Sequence, residues 1–243
     1  MDSGFYSAFT GFSTRMDALE LVANNLANAS TPGYKAQLAF YRSLPAWLQD
    51  SLSTPLNQAV NQFGVLGGSQ SDMTASNLDR TGNPTDVALE SSGFFNVQTK
   101  NGVRYTRNGS FGLNAQRQLV TAQGDLVLGG QGPLQIPSGQ VSISQDGTIS
   151  VDGGVVGQLK VTDFASAAQL KPEGNTYFAA AGAGKNSTTA RVVQGALETS
   201  NSDPVKSTVA LIELQRTAQM MERALSIFNN DFNRTAAQDL PRV

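Results

Sequence analysis

The sequence predicts an α+β protein in which a β-rich central domain is inserted between long N- and C-terminal helices that pair as an antiparallel coiled coil. Three observations predict it. Near the N-terminus Phe5, Phe9, Phe12, Met16, Leu19, Ala23 and Leu26 recur at steps of 4, 3, 4, 3, 4 and 3. Near the C-terminus Leu211, Leu214, Ala218, Met221, Leu225, Phe228 and Phe232 recur at steps of 3, 4, 3, 4, 3 and 4. Such spacing puts each set on one narrow helical seam of the kind that inserts into a partner helix. Between the two ends the rhythm changes to short apolar runs punctuated by Gly, Asn and Asp, the pattern of β-strands and turns.

The elements follow in order. The first helix is expected from Ser3 to Asn28, ended by Ser30-Thr31-Pro32-Gly33, because proline biases Thr31 out of the helical region and Pro32-Gly33 suits the centre of a type II turn. From Lys35 to about Gly68 the chain reads as a connector, with a short helix expected at Ala46 to Leu52. Strands are expected at 87–90, 94–99, 103–107, 119–121, 126–128, 141–144, 148–151 and 158–164, with a last strand at 190–194. Asn101-Gly102 and Asp146-Gly147 are read as two-residue type I′ hairpin turns, both central residues taking positive φ. The second helix is expected to begin after Ser202-Asp203-Pro204 and to run to about Asn233, with Asp203 accepting from first-turn amides and Pro204 at the first helical position. The domains expected are 1–34, an N-terminal helix; 35–80, a connector; 81–194, a β-rich outer domain; and 195–243, a C-terminal helix.

Composition narrows the function. The 243 residues carry 17 Lys and Arg against 19 Asp and Glu, a net charge of −2, with no basic cluster, which argues against nucleic acid or an anionic membrane as ligand. Cysteine and histidine are both absent, which removes thiolate and imidazole chemistry and nearly all zinc, iron and copper sites. No segment approaches 18 apolar residues, and the N-terminus has no basic stretch followed by an apolar core, so neither membrane insertion nor a cleaved secretory signal is expected.

Motifs that suggest chemistry have simpler readings. Gly184-Lys185 lacks the opening glycine and following hydroxyl of a phosphate-binding loop. The carboxylate pairs Asp146 with Asp152 and Asp86 with Glu90 fall in or beside turn sequences, where Asp is usually structural. The Asn-x-Ser/Thr tripeptides at Asn28, Asn108, Asn186 and Asn233 are read as chance. Asn24, Asn25 and Asn28 have two readings of equal weight, a register-fixing polar contact near the seam or simple helix termination. No catalytic, cofactor-binding or metal-ligating residue is assigned, and no small-molecule substrate is expected. Two apolar seams on one chain instead point to assembly, with Phe5, Phe9, Phe12, Met16, Leu19, Leu26, Leu211, Leu214, Met221, Leu225, Phe228 and Phe232 as partner-packing residues.

A family resemblance lies on those same segments. Asn24-Asn25-Leu26-Ala27-Asn28-Ala29-Ser30-Thr31-Pro32-Gly33-Tyr34-Lys35 resembles the N-terminal signature of bacterial flagellar axial proteins, the rod, hook and hook-associated group. Gly93-Phe94-Phe95 and Tyr105-Thr106-Arg107-Asn108-Gly109-Ser110-Phe111 resemble the central signature of rod and hook proteins, with Thr81-Gly82-Asn83-Pro84 and Asp86-Val87-Ala88-Leu89 before them. Gly195, Leu197, Glu198, Ser200 and Asn201, then Gln215-Arg216, resemble the C-terminal signature. Departures at Ser202-Asp203-Pro204 and Glu90-Ser91-Ser92 blur the choice among paralogues; length and the short connector look more like the proximal-type rod protein than the distal one or the hook protein. The resemblance implies terminal helices lining an inner tube, a β-domain outside them, export by the flagellar type III apparatus, and a place in the basal-body rod in the periplasmic space. It implies copies of itself and other rod proteins as partners, and a structural, torque-transmitting role without catalysis. Readings from other classes are a secreted adhesin or coat protein dimerised by its helices, and a cell-wall hydrolase using Asp146 and Asp152.

Overall fold

The structure, a computed structural model, describes residues 2–42, 65–187 and 189–239. The short helix expected at 46–52 lies outside the described residues. In chain order, helix α1 (Asp2–Ala27) is followed by β1 (Gln37–Arg42), β2 (Val65–Ser71), β3 (Leu78–Arg80), β4 (Val87–Leu89), β5 (Phe94–Thr99) and β6 (Gly102–Thr106). Short strands come next: β7 (Gly112–Leu113), β8 (Leu119–Val120), β9 (Leu126–Gly129), β10 (Gly132–Pro133), β11 (Val141–Ile143), β12 (Thr148–Val151), β13 (Gly154–Gln158) and β14 (Val161–Asp163). Then come β15 (Leu170–Gly174), β16 (Tyr177–Ala180), β17 (Lys185–Asn186), β18 (Val192–Gln194), β19 (Ala196–Glu198) and helix α2 (Pro204–Asp239).

Two compact units result, one drawn from Met1–Ala27, Gln37–Gln70 and Asp203–Val243, the other from Asn28–Ala36 and Ser71–Ser202. In the second, β5 is the hub of a ten-stranded sheet, with β6 along one edge and both β14 and β9 along the other. Strand alternation sends Phe95 and Val97 into the main core with Val127, Ile136, Ile149 and Val161, while Phe94 joins Leu170 and Phe178 in a second cluster on the opposite face. Burial on both faces accounts for the adjacent Phe94 and Phe95 at the start of β5. Tyr177 closes one side of the main core with its hydroxyl held by Thr121 and Asp125, and burial pushes its pKa up.

The expected coiled coil is not what forms. The chain is β-rich with one helix at each end, and in α1 the buried residues are Gly11, Thr14, Ala18 and Asn25, a stripe beside the predicted seam. Phe9 and Met16, two of the large residues expected to interlock, are 53% and 44% exposed. Gly11 faces α2, where an added methyl would sit 3.8 Å from Met221 Cε. Steps of 3 and 4 occur in more than one register along α1, and small side chains let backbones come closer than knobs the size of Phe would. Periodicity alone therefore could not choose the face.

Two turns differ in detail from expectation. Thr99 pairs with Gly102, so Lys100 and Asn101 form the loop and only Gly102 takes positive φ, at 98°. Likewise Gly147 N–H donates to Ser144 C=O with Gln145 and Asp146 between, and only Gly147 has positive φ, at 81°. Each hairpin turns with ordinary φ in its loop and places one glycine after it, as in a type I turn followed by a bulge. The expected strand at 158–164 is two strands, β13 and β14, and β1, β2, β3, β7, β10, β15, β16, β17 and β19 lie outside the expected strands. Both helices are shifted at their ends: α1 runs one residue earlier than expected, and α2 extends to Asp239.

Candidate functional site

The residues of the three signature segments meet around a buried ionic node in the second unit. Chain reversal brings the first segment in. After α1, Thr31-Pro32-Gly33-Tyr34 turns with Tyr34 N–H donating to Thr31 C=O at 3.2 Å and Gly33 at φ +66°, the left-handed value a type II turn requires. A Cβ on Gly33 would lie 2.3 Å from the backbone nitrogen of Asn108, so no side chain fits there. Gly33 N–H in turn donates to Glu198 C=O at 2.7 Å, joining the N-terminal segment to β19.

Lys35 follows, with 1% of its side chain exposed, and its ammonium donates to Glu198 Oε1 at 2.6 Å and to Thr74 C=O at 2.7 Å. Arg107, from the turn after β6, donates to Glu198 Oε2 and to Leu89 C=O, both at 3.4 Å, and its guanidinium lies 5.3 Å from the Phe94 ring centre. Ser76 N–H also donates to Glu198 Oε1, at 3.2 Å. One carboxylate thus faces two cations out of water. Burial pushes the Lys35 pKa down, opposed by its hydrogen bond and attraction to Glu198; burial does the same at Arg107, again opposed by Glu198. Arg107 Nε is buried with no hydrogen-bond partner among the described residues.

Asn201 seals the junction. Its Oδ1 accepts from Ala36 N–H at 2.7 Å and its Nδ2 donates to Asp72 C=O at 2.8 Å, so one amide side chain serves as a rung between two extended segments. The Thr106–Ser110 turn is held by side chains: Asn108 N–H donates to Thr106 Oγ1 and Ser110 N–H to Asn108 Oδ1. Gly109 passes Val87 so closely that a Cβ would sit 1.7 Å from its carbonyl oxygen, while Gly93 would meet Val161 Cγ1 at 2.7 Å. Phe95 and Phe111 stack edge-to-face at 5.3 Å in the main core, Tyr105 packs on the second cluster, and Leu197 and Ser200 flank Glu198 half-buried.

In the first unit, Asn25 spans α1 and β1, its Nδ2 donating to Gln37 C=O at 2.7 Å and its Oδ1 accepting from Gln37 N–H at 2.8 Å. Asn28, in the second unit, holds the turn, its C=O and Oδ1 accepting from Thr31. Asn24 is exposed. Among the partner-packing candidates, Phe9 and Met16 face outward, and Phe12, Leu19, Leu26, Leu211, Leu214, Met221 and Leu225 are half-buried. The side chains of Phe5, Phe228 and Phe232 lie outside the described residues. Gln215 and Arg216 are exposed on α2.

The carboxylate pairs hold turns. Asp86 accepts from Thr81 Oγ1 and Asn83 Nδ2, and Asp146 accepts from both the amide and hydroxyl of Thr148, which lower its pKa. Asp152 accepts from Gln140 N–H. Among the described residues no group of His, Cys, Asp or Glu could hold a metal ion, and no helix is long and apolar enough to cross a membrane. The ionic node was missed by sequence reasoning: its three members were noted only as signature residues. Full charges placed inside glycine-rich motifs of a chain only 15% charged were the available signal.

A β-unit whose signature residues join its own segments, in a chain whose terminal helices carry outward apolar residues, fits a structural protein. Comparison of the sequence with known proteins agrees. Residues 5–35 match the family described as flagella basal body rod protein, residues 88–151 the D1 domain of the flagellar hook protein FlgE/F/G, and residues 193–236 the C-terminal region of flagellar basal body rod FlgEFG proteins. The chain is 32% identical to the flagellar basal-body rod protein FlgF of Escherichia coli, over 96% of this chain and 97% of that protein. It is 32% identical to FlgF of Caulobacter vibrioides over the whole of both chains, and 32% identical to FlgG of Agrobacterium fabrum over 90% of this chain and 92% of that protein. The chain belongs to the FlgF/FlgG family of flagellar basal-body rod proteins and is a structural component of the rod, located in the basal body of the flagellum.

Proposed function

We propose that this chain builds a proximal segment of the rod by packing its terminal helices against copies of itself and against other rod proteins, transmits torque through those contacts, reaches the rod through the flagellar export apparatus, and catalyses nothing. The observation that carries the reading is the outward placement of Phe9 and Met16 on α1, apolar residues that the chain's own fold leaves 53% and 44% exposed. The domain plan that goes with it assigns helix-mediated assembly to 1–34 and 195–243, an outer β-layer to 81–194 and a connector to 35–80. The ionic node serves this role indirectly, since a load-bearing subunit needs its N- and C-terminal crossings fixed to the same β-unit.

Phe9→Asp tests the reading in cells. A charge on the outward face is expected to remove the protein from purified basal bodies and to abolish swimming, while the purified variant keeps the wild-type unfolding transition of its β-unit. Normal incorporation and swimming would refute assembly through this face. The proximal position is tested separately by labelling the protein in isolated basal bodies: a label at the hook end would place it as distal instead.

A further inference from the structure

Helix α2 carries a second apolar stripe, on the side away from α1. At 100° per residue Val205, Val209, Ile212, Met220 and Ile227 fall within an arc of about 80°, and they are between 45% and 70% exposed. Ala218, the buried residue among the described side chains of the helix, lies on the other side. Arg216 and Arg223 stand within the same arc, both exposed, and neither has a carboxylate within ion-pair distance among the described residues. The outward face of α1 is its counterpart: Phe9, Met16 and Glu20 share one arc, with Asp17 about 60° further round, and both acids are exposed and unpaired among the described residues.

We infer that α1 of one copy docks on the outer stripe of α2 of a second copy, with Glu20 and Asp17 meeting Arg216 and Arg223. This deepens the assembly reading above and rests on it. Charge decides the pairing. Two α2 stripes laid together would bring arginines against arginines, and two α1 faces would bring acid against acid, whereas α1 on α2 alternates the signs. The contact is heterologous, one surface on each partner, so each subunit keeps a free α1 face and a free α2 stripe and the chain of contacts continues instead of closing as a dimer. Arg216, half of the Gln215-Arg216 signature pair and without an ion-pair partner among the described residues, acquires a role at this contact.

The absence of cysteine makes the test direct. Full-length Glu20→Cys and Arg216→Cys are co-expressed, basal bodies are purified, and a short bis-maleimide linker is added. Cross-linked dimer is expected when both variants are present and not when either is expressed alone. Dimer from Arg216→Cys alone, or none from the mixture while both variants incorporate normally, overturns the pairing. In parallel, Arg216→Glu with Arg223→Glu should lower incorporation by about tenfold or more, and Asp17→Lys with Glu20→Lys in the same chain should restore it. Loss without restoration means another protein occupies the stripe and overturns the copy-to-copy contact. Unchanged incorporation of the arginine variant overturns the stripe itself, while the assembly reading stands or falls on Phe9→Asp.

Discussion

Glu198 is the residue on which the second unit turns, because its one buried carboxylate lies within ion-pair distance of both Lys35 and Arg107. Removing one partner of a buried ion pair costs about 3–5 kcal/mol, since the remaining charge stays desolvated. Glu198→Gln leaves two cations facing each other and should cost that much in urea unfolding. Lys35→Met leaves a balanced Arg107–Glu198 pair and should cost distinctly less; the reverse order would show that the pair with Arg107 is not the sustaining one. A second comparison separates close approach from backbone conformation. Gly33 and Gly82 both take positive φ, at 66° and 73°, but a Cβ at Gly82 meets nothing within 4 Å while one at Gly33 strikes Asn108. Gly82→Ala should therefore cost about 1–2 kcal/mol for its left-handed backbone, and Gly33→Ala considerably more, read from the same unfolding curves. The sequence made the glycine legible, through its place after Pro32 in a turn. It could not show the partner, which comes from a segment 75 residues away in the chain.

At the scale of elements, what a few adjacent residues decide was legible and what distant residues decide was not. The start of α2 is a local matter: Asp203 Oδ1 accepts from the amides of Val205 and Lys206 at 2.9 and 3.2 Å, as Asp-Pro at a helix start predicts. Those amides hold the Asp203 pKa below its ordinary value of 3.8. A depressed folded-state value means that the cap's contribution is present above the ordinary value and is lost as pH falls through the lower, folded one. The Val205 and Lys206 amide resonances should move in that acid range in the wild type and stay put in Asp203→Asn, which caps without titrating. Hairpin positions were likewise legible from Asn-Gly and Asp-Gly, but the single positive φ in each falls on glycine alone, because a bulge rather than a two-residue loop closes both. The helix faces were misjudged for a different reason. A seam of large residues and a parallel stripe of Gly11, Thr14 and Ala18 satisfy the same periodicity, and only three-dimensional contact selects the small one.

For the whole molecule, family membership and a rod role followed from segments the sequence already displayed, whereas the contacts that join those segments are visible only in space. Turn, charge and amide from three places in the chain lock one β-unit, and the helical unit presents apolar residues outward on both α1 and α2. The four described methionines of the helices and core offer a readout of that outward face: Met16 and Met220 are 44% and 62% exposed, while Met221 is half-buried and Met73 packs on the second cluster. Peroxide oxidation of each, quantified by mass spectrometry in the free chain and in purified basal bodies, tests the claim that the outward faces are assembly surfaces. Met16 and Met220 should oxidise faster than Met73 in the free chain and become protected in the rod. Equal oxidation of Met16 and Met220 in the two states would contradict it.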